Sequence, residues 1–286
     1  MVKISKWLIP QVLVFLILGF KSKIFLAFLW IILHEITHYI VAKWMKLSVD
    51  NFKIHPFGTS LELSDFDELT HKEEIILSIA GPFFNLLMFG LFYMAYKIVP
   101  TEFVSNSMEI NLVLFIFNML PAYPLDGSKV LRTVLSSKIF YKKAHIITSY
   151  ISYGVGGIGF LLFAYLLTIH KFNLSILLTS CFIVYITYNE KRKVMYIIMG
   201  DIIKKRSRLT KRKYIYNKSI SVYCKLGLIN VLGLVDKNKF NSFFILDDDL
   251  KVMDIIHEDE LIEALKVHGN ITLEEYINLK NSWMKK

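Results

Sequence analysis

The sequence predicts an α-helical polytopic membrane protein of about six transmembrane helices, ending in a small cytoplasmic α/β domain. Three observations carry this. Hydrophobic residues make up 54% of the 286 positions, and mean hydropathy is +0.46, above the usual soluble range. Apolar runs approaching the roughly 20 residues that cross a bilayer recur through the first two thirds of the chain. Basic residues gather directly after the last such run.

The runs fall at 7–20, 24–46, 78–99, 108–121, 146–169 and 172–188. The first and fourth are short and so are tilted, re-entrant or broken. Lys3 and Lys6 precede the first, but "LGFKSK" lacks the small-x-small site of a removable leader, so it reads as a retained anchor. The chain then divides into a transmembrane domain (1–189), a basic juxtamembrane linker (190–213) and a cytoplasmic domain (214–286). Of the net charge of +10, residues 190–213 hold +8 (ten basic, two acidic) and residues 214–286 hold −2 (nine Lys, eleven acidic), leaving +4 for the rest. A nucleic-acid footprint would instead place a basic patch on the soluble unit, so no nucleic-acid partner is expected. Cys181 and Cys224 are too few for a disulfide framework or thiolate cage.

Loop charge orients the spans, because short loops rich in Lys and Arg stay cytoplasmic. With both termini inside, Lys43, Lys46, Lys53, Lys72, Lys129, Arg132, Lys138, Lys142 and Lys143 face the cytoplasm, and few lysines face out. The lipid bilayer is thus the first partner.

Within "FLWIILHEITHYIVAKW" (Phe28–Trp44), His34 and His38 stand one helical turn apart on one face. Two such imidazoles hold one metal, and Glu35 beside them reaches a water as general base without ligating. Three ionisable groups within five residues of a span each need a partner in hydrocarbon, and one metal partners them all. From Lys43 and Lys46, His38 lies roughly 8–12 Å inside the cytoplasmic end of the helix. Zinc needs a third protein ligand and an open fourth position. In "FNMLPAYPLDGSKVLR", Pro121 and Pro124 break the fourth run and leave irregular backbone at membrane depth, which is tolerated where it lines a watery cavity. Asp126 follows that break. An Asp-Gly turn or an N-cap near Ser128 is the plainer reading, but no span offers a better carboxylate, so Asp126 is taken as the ligand. His55 is set aside because the ligand set is complete.

HExxH in one span, "AGPFFN" (Ala80–Asn85) opening another and "NMLPAYPLDG" (Asn118–Gly127) together resemble the site-2 protease family of intramembrane zinc metalloproteases. The six-span layout with a cytoplasmic tail, "IHPFG" (Ile54–Gly58) and "PLDGSKVLR" followed by "FYKKAH" resemble its stage IV sporulation (FB) branch in endospore-forming bacteria. The resemblance implies one Zn2+ held by His34, His38 and Asp126, with Glu35 catalytic. It further implies substrate hydrogen bonds from Asn85 and Asn118, against plainer roles as a polar side chain near a helix start and a cap beside the prolines. Gly81 and Pro82 are expected to allow close packing and set the helix start. The implied substrate is a membrane-associated protein, the precursor of a sporulation sigma factor (pro-sigma-K), cut near the cytoplasmic face of the membrane around the forespore. Membrane inhibitor proteins stay open as further partners. "VDNFKIHPFGTSLELSD" (Val49–Asp65) reads either as a connecting hairpin or as one that receives an extended substrate strand at its edge.

In "NEKRKVMYIIMGDIIKKRSRLTKRK" (Asn189–Lys213) apolar and basic residues alternate, as in a helix on an anionic leaflet or in a charged linker. The tail shows strands at 241–247 and 250–257 and a helix with acidic first turn at 258–266. That order resembles one cystathionine-β-synthase (CBS) repeat, which implies ATP or another adenine nucleotide as ligand and, with a single copy present, a homo-oligomer for pairing. Two other functions fit the composition. A non-proteolytic membrane regulator with a nucleotide-sensing tail has no need of Glu35, and a metal transporter has no need of a non-ligating Glu within HExxH.

Overall fold

The computed structural model describes residues 2–4, 22–45, 47, 49–55, 58–63, 69–237 and 239–284. The expected first span, 7–20, lies outside them. The chain divides into two compact units, Met1–Val134 with Tyr150–Thr187, and Leu135–Ser149 with Tyr188–Lys286.

The helices of the first two thirds are α1 (Ser22–Trp44), α2 (His71–Ile98), α3 (Glu102–Met119), α4 (Asp126–Ser136), α5 (Tyr141–Thr168) and α6 (Leu174–Arg212). Between α1 and α2 lies a hairpin, β2 (Val49–His55) and β3 (Gly58–Leu63), with β1 (Val2–Ile4) parallel to β2 on its other side. Three helices, Lys23–Trp44, His71–Ile98 and Tyr141–Thr168, are long and apolar enough to cross a bilayer. Their outward residues are large and apolar, such as Leu91, Met94 and Leu161, as lipid-facing surface requires. In α3, Glu102 and Glu109 with Asn106, Asn111 and Asn118 dilute the apolar run, and in α6 that run stops at Tyr188 and continues as basic helix.

Helix α2 starts at His71, well before "AGPFFN", so that motif is in the middle of the helix and not at its opening. A capping box fixes the true start: Glu73 N–H donates to Thr70 Oγ1 (3.3 Å) and Thr70 N–H to Glu73 Oε2 (2.7 Å). Pro82 stands inside the helix, where it withholds one backbone donor. Leu26 and Trp30 of α1 pack with Ile110 of α3, and Phe84, Met88 and Phe92 of α2 close the cluster. Trp30 meets Phe92 edge-on at 5.3 Å. Between α5 and α6, Gly159 leaves room for the Ser180 side chain, the close helix approach its small size foretells.

The second unit holds β4 (Tyr216–Tyr223), α7 (Leu228–Leu232), β5 (Lys239–Leu246), β6 (Val252–His257), α8 (Glu258–His268) and α9 (Leu273–Met284). Strand β5 is central, parallel to β4 and antiparallel to β6. Its inward residues Asn241, Phe243 and Ile245 are fully buried, with Ile256, Leu261 and Leu273 around them. Val194, Ile198 and Ile202 of α6, spaced one turn apart, belong to the same core. Val194, Ile198 and Ile202 of the 190–213 segment are therefore covered by the tail, while Tyr196 and Ile203 stay exposed.

One buried charge cluster ties α6 to this unit. Lys205 Nζ lies 2.8 Å from Glu258 Oε2, 3.3 Å from Asp201 Oδ2 and 3.1 Å from the Asp236 carbonyl. Asn241 donates to the same Glu258 oxygen from its backbone (3.1 Å) and its amide (2.7 Å). Burial raises the Glu258 pKa, while the bonds from Lys205 and Asn241 pull it down. Lys205→Met removes the cation and strands the carboxylate, so the tail is expected to lose about 3–5 kcal/mol. Without Lys205 the folded-state pKa of Glu258 rises further above its unfolded value of 4.5, and the folded unit then binds a proton the unfolded chain does not. The defect therefore grows as pH rises through that folded pKa and shrinks in acid. Hydrogen exchange of the Phe243 and Ile245 amides in the full chain, near pH 5 and about pH 8, checks both magnitude and sign.

Candidate metal centre

On α1, His34 and His38 point the same way, their ring centroids 4.9 Å apart, and both are buried. Asp126, the first residue of α4, brings its Oδ2 to 3.2 Å from His34 Nε2 and 3.1 Å from His38 Nε2, with the two Nε2 atoms 3.2 Å apart. Of the described residues, these three form the group able to hold a metal ion.

Hydrogen bonding on the far side of each ring tests whether zinc fits. His38 Nδ1 is 2.7 Å from the Leu77 carbonyl, an acceptor only, so Nδ1 carries the proton. In the neutral ring Nε2 then offers a lone pair toward the carboxylate oxygen of Asp126. Two acceptors facing each other repel unless a cation lies between them. His34 Nδ1 is 2.8 Å from Asn85 Nδ2, while Asn85 Oδ1 is buried without a partner. The two ends of a carboxamide have the same shape. Interchanging them lets Oδ1 accept from His34 Nδ1–H and puts both histidines in one tautomer, outer nitrogen protonated and inner lone pair free, as metal-ligating histidines have it. The three edges of 3.1–3.2 Å also approach the ligand separation of a tetrahedral zinc site, about 3.3 Å for bonds of about 2.0–2.1 Å. The residues fit the ion.

The surrounding chain holds Asp126 in place by contacts that the sequence did not announce. Lys129 Nζ bonds its other oxygen, Oδ1, at 2.8 Å, leaving Oδ2 for the histidines. Two turns along α4, Arg132 pairs with buried Glu74 of α2 at 2.7 Å. Ahead of Asp126, Tyr123 N–H donates to Ser152 Oγ (2.9 Å) on α5, and Ser152 bonds Thr187 Oγ1 (2.6 Å) on α6, which itself donates to the Ile183 carbonyl (2.6 Å). The proline segment is thereby pinned to two helices. Two glycines allow the close approach. A Cβ on Gly81 would lie 2.3 Å from His38 Nε2 and 2.5 Å from His34 Nε2, and one on Gly127 would lie 2.3 Å from the Met119 carbonyl oxygen.

Among the other residues singled out in the sequence, Glu35 is half-buried next to His34 on α1. Asn85 is fully buried against His34. Asn118, near the end of α3, donates to the Leu114 carbonyl of its own helix at 3.0 Å. The side chain of His55 is outside the described residues.

With this geometry established, comparison with known proteins gives a consistent answer. The pattern of peptidase family M50 matches residues 23–106 and 95–162. The chain is similar to a zinc metalloprotease of Methanocaldococcus jannaschii, 28% identical over 179 residues, 59% of this chain and 49% of that protein. It is also similar to stage IV sporulation protein FB of Bacillus subtilis, 28% identical over 132 residues, 46% of each. The chain thus spans about half the length of these curated relatives. Among solved structures, the site-2 protease from Methanocaldococcus jannaschii has a TM-score of 0.50 and 25% identity, over 66% of this chain and 90% of that one.

Gly81→Ala places a methyl group where the two Nε2 atoms meet and is expected to abolish zinc retention, read as metal per chain in the purified protein. Ser152→Ala strands the Tyr123 N–H and is expected to cost about 1–3 kcal/mol of stability. Thermal unfolding measures that loss, and metal content should fall less than in Gly81→Ala.

Proposed function

We propose that the chain hydrolyses a peptide bond of a membrane-associated protein, because residues 23–162 match the pattern of peptidase family M50 and the chain is similar to a solved site-2 protease. The observation that carries this is the convergence of His34, His38 and Asp126 on one point beside Glu35. When bound there, zinc would lower the pKa of a water toward 7 and polarise the scissile carbonyl. Glu35 takes the proton from the attacking water and delivers it to the leaving amine. Its position one residue from His34 keeps it near the water without ligating. Lys129 holds Asp126 by one oxygen, which keeps the other aimed at the histidines.

A peptide bond in a helix hides its carbonyl in hydrogen bonding, so the substrate must be extended when cut. Sheet order β1-β2-β3 leaves β1 and β3 as edge strands among the described residues, and we assign the incoming strand to the edge of β3, which packs against α1, with Asn118 as a further polar contact. Asn85 acts through His34, by holding its ring. The substrate proposed is the sigma-factor precursor pro-sigma-K, by likeness to stage IV sporulation protein FB. Six spans, both termini in the cytoplasm and the forespore-surrounding membrane complete the reading. The β4-α7-β5-β6-α8 order of the tail supports a CBS-like module that takes an adenine nucleotide and pairs with a second chain.

Co-expression of pro-sigma-K with the wild type and with Glu35→Gln tests the protease. Cleavage is expected to fall by about 10²–10⁴-fold, the usual contribution of general acid–base catalysis, with zinc retained. Undiminished cleavage overturns the reading, and loss of zinc makes Glu35 a ligand. Asp126→Ala should lose zinc and cleavage together.

A further inference from the structure

A cavity of about 280 Å³ opens in the second unit, between the connection from α4 to α5 and the start of the tail sheet. Four lysines line it: Lys138 and Lys143 from the connection and first turn of α5, Lys218 from β4 and Lys239 from the start of β5. Asp236 is the carboxylate in the lining. Its Oδ2 is 3.0 Å from Lys218 Nζ and 3.4 Å from Lys239 Nζ, and its side chain is buried. Lys218 also lies 4.4 Å above the ring of Phe140, which fixes that ammonium against the wall. Lys138 and Lys143 have no carboxylate partner among the described residues. The cavity therefore carries four positive charges against one negative, an excess of +3 in a partly enclosed space, where like charges repel more strongly than in open water.

From this we infer that the cavity binds a phosphate-bearing anion. Its volume is at the small end of ligand sites, about 300–1,000 Å³, so it takes a phosphate or pyrophosphate group and not the whole of a large molecule. Ammonium groups converging from separate elements suit phosphate, which accepts from several directions at once, better than a single planar carboxylate. Two sources present that chemistry. One is a soluble di- or triphosphate, which would give the nucleotide reading of the tail a location. The other is the headgroup of an anionic lipid, since Lys143 is in the first turn of a helix long and apolar enough to cross a bilayer. The site uses no residue of the zinc centre, so it stands or falls separately from the protease assignment.

The test uses the full chain in nanodiscs of phosphatidylcholine, titrated with inorganic pyrophosphate by calorimetry. Saturable binding is expected, weakened roughly tenfold or more by Lys138→Ala with Lys143→Ala, the loss expected when charge-assisted hydrogen bonds are removed. Both side chains are exposed, so the fold should be unchanged, and Lys143→Arg should restore binding by restoring the charge. Repeating the titration with phosphatidylglycerol in the disc separates the sources. A weakened pyrophosphate affinity, together with phosphatidylglycerol retention that the double substitution abolishes, assigns the site to a headgroup. An unchanged affinity assigns it to a soluble phosphate. Absence of saturable binding in phosphatidylcholine discs, or binding that the double substitution leaves intact, overturns the inference.

Discussion

The meeting of His34, His38 and Asp126 is unfavourable without a cation, and much of the membrane unit is arranged around that fact. The Leu77 carbonyl fixes the proton of His38 on its outer nitrogen, so the inner lone pair faces a carboxylate oxygen 3.1 Å away. In a buried setting such opposition is costly, and it persists because neighbouring elements leave the three groups no other direction. Gly81 brings α2 against the rings, Gly127 lets α4 begin hard against the end of α3, and Lys129 occupies the second carboxylate oxygen.

Support for Asp126 comes from polar contacts inside an otherwise apolar unit. Hydroxyl groups of Ser152 and Thr187 form a directed series from the Tyr123 N–H to the Ile183 carbonyl, in which each oxygen accepts one bond and gives one. The Arg132–Glu74 pair joins the same short helix to α2. Where water is excluded these groups have few alternative partners, so a few well-made bonds define the position of a break in the helical structure.

How far the site was legible in the sequence depended on the distance over which each signal acts. His34, Glu35 and His38 declare themselves through one turn of helix, and the prolines flanking Asp126 mark a broken span locally. Asn85 pairing with His34, and Arg132 with Glu74, join positions 51 and 58 residues apart, which no local pattern announces. The start of α2 was misplaced because Gly81-Pro82 looks like a helix opening, whereas the capping box lies upstream at Thr70 and Glu73. In the tail, β5 and β6 stood out by their apolar content, but β4 reads "YNKSISVY", whose polar alternation is weak evidence of a strand. The stripe Val194, Ile198 and Ile202 was visible as an apolar face. What covers it, the tail's own core, was not.

The absence of a side chain at Gly81 has a directional consequence. With the α2 backbone pressed to the two imidazole nitrogens, that flank of the metal point is shuttered, and Asp126 with its attendant lysine screens another. The same packing that shapes the ligand set thus narrows, among the described residues, the directions from which a further ligand can reach it.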